Sequence, residues 1–87
     1  MEKMKYVNIG DYNSIVIFPM IIEHSRFAHF NPRSAGFCYI STEKVECFGE
    51  SISLGIKSDT KSDTRYATIQ YCGIDAADNL INEKIEN

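Results

Sequence analysis

This 87-residue chain has no tryptophan, two prolines, two histidines and three cysteines, and each scarcity removes a class of protein. Cys38, Cys47 and Cys72 are odd in number and lack the C-x-x-C spacing of zinc ribbons and redox motifs, so neither a disulfide framework nor a cysteine metal site is expected. His24 and His29 stand roughly 140° apart around a helix of 3.6 residues per turn, which does not let two imidazoles converge on one ion. No metal or cofactor is therefore anticipated. The longest apolar stretch, 15–22, is interrupted by Pro19 and falls far short of a bilayer-spanning segment. Residues 1–5 lead into no continuous signal-peptide core, and no N-x-S/T acceptor occurs. Together with the free-cysteine pattern, this predicts a cytoplasmic protein with no membrane partner.

Phosphate-handling motifs are missing too. There is no G-x-x-x-x-G-K-[ST] and no G-x-G-x-x-G, and Gly49-Glu50-Ser51-Ile52-Ser53 fails the G-x-S-x-G elbow because Ser53 replaces the second glycine. Two S-x-x-K matches, Ser41 with Lys44 and Ser58 with Lys61, fall in turns without the remainder of that signature. Positive charge is not in excess either: the net charge is −3, which argues against a protein that coats nucleic acid by neutralising phosphates. The charge is unevenly spread. Five basic and four acidic residues lie in 1–44, against four basic and eight acidic in 45–87.

What is present suits one small α+β domain spanning 1–87, with a mostly antiparallel sheet of about four strands. Residues 4–9 alternate weakly and predict a short edge strand, with Lys5, Val7 and Ile9 on one side and Met4, Tyr6 and Asn8 on the other. A turn at 10–13 follows. Residues 14–18 (Ser-Ile-Val-Ile-Phe) are apolar on both faces, which predicts a central strand covered on both sides. Pro19 is placed to open a short helix over 20–30, and Pro32 and Gly36 bracket a predicted loop at 31–36.

Residues 37–40 and 45–48 predict a hairpin in which Ile40 faces Val45 and Cys38 faces Cys47. Ile40, Val45 and both cysteines then share one face, with Phe37, Tyr39 and Phe48 on the other. A cross-strand disulfide would be accessible to that register under oxidation. Residues 49–55 predict a bent continuation or structured loop. The tetrapeptide Lys57-Ser58-Asp59-Thr60 is repeated as Lys61-Ser62-Asp63-Thr64, and predicts an exposed loop whose Ser62 or Asp63 caps the next element, 65–72. There Tyr66, Thr68, Ile69 and Tyr71 suit a strand, but the cap signals and Gly73 favour a helix. A last helix is expected over 75–86, with Ala77, Leu80, Ile81 and Ile85 as its apolar stripe.

The densest set of chemically capable side chains is His24, Arg26, His29, Arg33 and Ser34, followed by Gly36. Arginine forks onto phosphate or carboxylate, and a small-residue turn can aim backbone N–H groups at an anion. Glu50, Ser51 and Ser53 are candidates for a second wall serving ribose or phosphate oxygens. The plainer alternative is a solvated helix end beside the exposed face of a strand. No catalytic residue is assigned: the cysteines lie in apolar runs that suit packing better than reactivity.

Three readings follow. The first is a non-enzymatic binding protein that senses or sequesters a small anionic or nucleotide-like ligand, as a homo-oligomer, because a short chain with two-sided strands gains by covering them with a second copy. The second is an acidic protein-interaction inhibitor of the phage or mobile-element counter-defence type, acting on a host protein through Asp59, Asp63, Asp75, Asp78, Glu83 and Glu86. The third is a small enzyme using His24 or His29 as acid–base. Richness in Ile, Asn, Lys and Tyr gives the chain the look of small AT-rich bacterial or phage reading frames, an impression of composition that rests on no motif.

Overall fold

The structure is a computed structural model that describes the backbone of residues 2–86, and their side chains apart from those of 12 and 81–86. Strand β1 (Lys3–Ile9) runs through a 3₁₀ turn (Gly10–Tyr12) into β2 (Ser14–Phe18). A 3₁₀ helix (His24–Phe30) follows, then β3 (Pro32–Ile40), β4 (Val45–Phe48), a small hairpin of β5 (Glu50–Ser51) and β6 (Ile56–Lys57), and helices α1 (Thr60–Cys72) and α2 (Ile74–Glu86). The main sheet is antiparallel in the order β2-β1-β3-β4, giving the expected α+β architecture.

The two strands expected at edge and centre have exchanged places. β1 is interior, hydrogen-bonded to both β2 and β3, with Tyr6, Val7 and Asn8 fully or almost fully buried. Its alternation is weak because its inward positions include polar side chains that find partners. β2 is the edge strand although both of its faces are apolar. Burial on two faces requires a layer on each side, and α1 and the 3₁₀ helix supply those layers without a flanking strand.

The predicted helix over 20–30 is shorter and tighter. Pro19 opens a turn, closed by the Ile22 N–H donating to the Pro19 carbonyl at 3.0 Å, and helical geometry begins only at His24. The threefold period of a 3₁₀ helix puts His24, Phe27 and Phe30 in one row. His24 and Phe27 turn toward the sheet, while Ile21 in the turn is 89% exposed.

The predicted loop at 31–36 is strand. Asn31 takes the left-handed conformation (φ 53°) and stops the 3₁₀ helix, so β3 starts directly at Pro32, a strand-initial position where a missing N–H costs no ladder bond. Gly36 is required inside the strand: a Cβ there would collide with the Phe48 carbonyl oxygen, where the chain leaves β4 and crosses back. Gly49 makes that departure at φ 81°.

The β3–β4 hairpin has the anticipated register, Cys38 opposite Cys47 and Ile40 opposite Val45, with the anticipated division of faces. Residues 49–57 form the β5–β6 hairpin, turned over onto the sheet so that Leu54 and Ile56 pack with Val7, Phe18 and Ala35. Helix α1 begins at Thr60, earlier than expected, so the second copy of the repeated tetrapeptide lies inside it rather than in a loop. Asp63 still satisfies the helix start, from within: its Oδ2 accepts the Asp59 N–H at 3.1 Å. In α2, Ala77 is buried as expected, whereas the stripe residues Ile81 and Ile85 lie outside the described side chains. Among the described residues no helix is long and apolar enough to cross a membrane.

Helix α1 crosses one face of the sheet and is tied to it by directed hydrogen bonds. On the β4 side, the Val45 and Cys47 N–H groups donate to Thr68 Oγ1 (3.1 Å) and Thr64 Oγ1 (3.0 Å). On the β2 side, the Ile15 N–H donates to Gln70 Oε1 at 2.9 Å, and the Ile15 carbonyl accepts from Gln70 Nε2 (2.7 Å) and the Tyr71 hydroxyl (2.8 Å). Side chains from one helix thus take the place of neighbouring strands along both edges, the positions where a sheet is otherwise open to further pairing.

Candidate functional site

The residues singled out from the sequence fall into three places. His24, 4% exposed, lies between Phe18 and Phe37, edge-on to both rings at 5.6 Å, and its Nε2–H donates to the Gly36 carbonyl at 2.8 Å. That imidazole is a packed core group. Arg26 and His29 are exposed on the 3₁₀ helix, His29 against the Phe30 ring at 4.1 Å.

Arg33 is exposed at the start of β3 and donates to Asn13 Oδ1 at 2.9 Å. Ser34 and Gly36 are buried in the strand and share a register with Asn8 and Tyr6, on the side facing α1. The cluster that looked continuous in sequence is divided by the sheet, because residues 32–36 are extended and alternate between faces. Ser51 is buried and closes its own turn, its Oγ accepting the Leu54 N–H at 3.2 Å and lying 3.5 Å from Ser53 Oγ. Glu50 and Ser53 are exposed beside it. Among the described residues no group of three or more His, Cys, Asp or Glu converges as a metal site would require.

One constellation escaped sequence reasoning, and a second was placed on its face but not read as a site. The first is a buried polar group under α1. Asp63, with no exposed surface, accepts from the Tyr6 hydroxyl at 2.5 Å, from Asn8 Nδ2 at 2.9 Å and from the Asp59 N–H. Ser58 Oγ donates in turn to the Tyr6 oxygen at 2.5 Å. Burial pushes the Tyr6 hydroxyl far above the ordinary tyrosine range, and the Asp63 carboxylate, which needs that proton as a donor, pushes it the same way. Three donors compensate a carboxylate that has no buried cation beside it. Asp63 is consequently unavailable to any acidic surface; Asp59, Asp75 and Asp78 remain exposed, and the side chains of Glu83 and Glu86 lie outside the described set.

The second is an aromatic strip on the opposite face. Tyr39 stacks on Phe48 at 5.1 Å, Phe48 lies 6.2 Å from Phe37, and the Lys3 ammonium sits over the Phe37 ring at 4.7 Å from its centroid. All three rings are half-buried. The 3₁₀ helix and the β5–β6 hairpin cover the neighbouring part of this face, around Val7, Phe18 and Ala35. Lys5 is held there by the Ile22 carbonyl at 2.9 Å and lies 3.8 Å from Glu23, and Lys44 pairs with Glu46 at 3.2 Å. Those are the ion pairs among the described residues. Lys3, Arg26 and, on the β5–β6 hairpin, Lys57 make no ion pair among the described residues, while Glu46, paired with Lys44, stands opposite Tyr39 on this face. The alternation of 37, 39 and 48 and the hairpin register put these three rings on one face from the sequence; Lys3 over Phe37 had no such signal.

Burial pushes the Cys38 thiol up to about 11 and the Cys47 thiol higher still, so both are poor nucleophiles. No protein-family model matches the chain, and no curated protein or solved structure matches it either.

Proposed function

We propose that this chain is a non-enzymatic binding protein that takes a small anionic, nucleotide-like ligand on the aromatic half of its sheet, to sequester or sense it in a reducing cytoplasm, with copies assembled as a homo-oligomer. The observation that carries the reading is the Tyr39–Phe48–Phe37 strip with Lys3 at its border. A planar base gains by stacking on half-exposed rings, and the unpaired Lys3 and Arg26 complement its phosphate. The location is shifted from the sequence-based one: Arg26 and His29 remain at the margin of the face, while Arg33 lies six residues from Tyr39 along β3, roughly 20 Å away.

Calorimetric titration with a panel of mono-, di- and cyclic nucleotides, and with inorganic phosphate as a baseline, tests the reading. Base stacking is worth roughly 1–3 kcal/mol per base, so Tyr39→Ala is expected to weaken nucleotide binding by about tenfold or more, with Arg33→Ala unchanged. Absence of heat with every nucleotide would remove the proposal. The inhibitor reading retains Asp59, Asp75 and Asp78 as surface charge, and predicts instead a partner protein captured at low salt and released at high salt.

A further inference from the structure

Two buried polar atoms face each other where β1 and β3 slip out of register. Asn8 and Ser34 are directly opposite on adjacent antiparallel strands, 1% and 3% exposed. Asn8 uses its Nδ2 on Asp63, and neither its Oδ1 nor Ser34 Oγ has a hydrogen-bond partner among the described residues. The pairing shifts one residue further on: Ile9 is opposite Pro32, so Arg33 is the extra residue of a bulge, where ladder pairing is locally disrupted. Pro32 also has no N–H to offer across the gap. Opposed side chains in such a ladder have Cβ atoms roughly 4.5–5.5 Å apart.

Leaving both atoms unpaired is unfavourable, and the chemistry of the two is complementary through one bridging molecule. The amide oxygen needs a donor, and the hydroxyl can donate or accept. Full enclosure excludes anything large. We propose that Asn8 and Ser34 form a binding site for a single internal water molecule, which donates to Asn8 Oδ1 and pairs with the Ser34 hydroxyl. The water extends the buried network from Ser58 through Tyr6, Asp63 and Asn8 to β3, with the Asn8 amide already oriented by its Nδ2 on Asp63. It is independent of the ligand reading above, since it lies on the other face of the sheet.

The sign of one substitution tests it. A hydroxyl bridged by water supports the fold, so Ser34→Ala lowers the thermal midpoint; a hydroxyl buried without any partner costs stability, so the same change raises it. A raised or unchanged midpoint overturns the proposal. The direct measurement is a high-resolution crystal structure of the unaltered chain, where a density peak within hydrogen-bond distance of both Asn8 Oδ1 and Ser34 Oγ is expected. A contiguous empty gap, or Ser34 Oγ bonded straight to Asn8, overturns it independently of how the variant behaves.

Discussion

The two faces of the sheet are covered by different physics. On one, α1 is held by hydrogen bonds with fixed partners: Asp63 to Tyr6 and Asn8, Thr64 and Thr68 to β4, Gln70 and Tyr71 to β2. On the other, the 3₁₀ helix and the β5–β6 hairpin lie on Val7, Phe18 and Ala35 mainly through apolar and aromatic contact. Only His24 on the Gly36 carbonyl and Lys5 on the Ile22 carbonyl are hydrogen-bonded ties there among the described residues, and Ile21 and Ile52 are about nine-tenths exposed at the tips of these covering loops (89% and 90%). Directed bonds tolerate one geometry. Apolar contact is non-directional and leaves room for a face to stay partly open, and the aromatic strip occupies that opening. The proposed binding surface lies on the side with fewer directed ties, where a shift of the covering elements unpairs fewer buried polar groups.

The largest test of this contrast is Asp63→Ala. It strands the Tyr6 hydroxyl, the Asn8 amide and the Asp59 N–H in a buried space, and is expected to cost about 4 kcal/mol, read as a lower urea midpoint with the 3₁₀ helix losing no more order than α1. Phe27→Ala empties the other face, where Phe27 lies 4.4 Å from Phe18. Its expected cost is about 2–3 kcal/mol, with amide-exchange protection lost over 19–31 and retained in α1. If both variants lose protection over the same residues, the two layers are one cooperative unit and the contrast fails.

Thr64→Val removes one acceptor from the β4 edge and is expected to cost about 1 kcal/mol, measurable as faster exchange of the Cys47 amide. Alkali acts gradually, through buried groups rather than one contact. The Cys38 thiol titrates at about 11 in the fold against 9.0 when unperturbed, so the folded chain holds a proton that the unfolded chain releases in between. The stabilisation is complete below the unfolded value and is lost as pH rises through the folded one, so urea midpoints should fall from about pH 9 toward 11. Cys38→Ala should make that slope shallower without abolishing it, because burial also raises the Cys47 thiol and the Tyr6 hydroxyl. Arg33→Ala, on an exposed pair with Asn13, is expected to change stability by less than about 0.5 kcal/mol.

Legibility from sequence followed the range of the deciding interaction. The β3–β4 hairpin could be read to the register because its partners are separated by one short turn and their alternation is complete on both faces. The exchange of β1 and β2 could not, because it depends on a helix more than forty residues downstream closing the β2 edge through Gln70 and Tyr71. Residues 31–36 carry proline and glycine, ordinarily loop residues, and both are used for strand purposes here: Pro32 at a start, Gly36 at a close crossing. The candidate site residues are divided between places for the same reason. Once 32–36 is extended, Ser34 turns toward α1, and the chemistry that remains together is aromatic rather than hydroxylic.

The repeated tetrapeptide places one sequence in two conformations, with Asp59 exposed before the helix and Asp63 buried inside it. Four residues are close to one helical turn, so sliding the chain by one copy would bring an identical Lys-Ser-Asp-Thr onto Tyr6 and Asn8. Nothing within the repeat distinguishes the two alignments. The choice is made beyond it: a slide would put Asp63 in the place of Ala67, driving a carboxylate into the apolar cluster of Ile15, Cys38 and Val45, and would put Tyr66 and Ala67 where Gln70 and Tyr71 bond Ile15. A small alanine beyond the duplication thus acts as the phase marker of the helix.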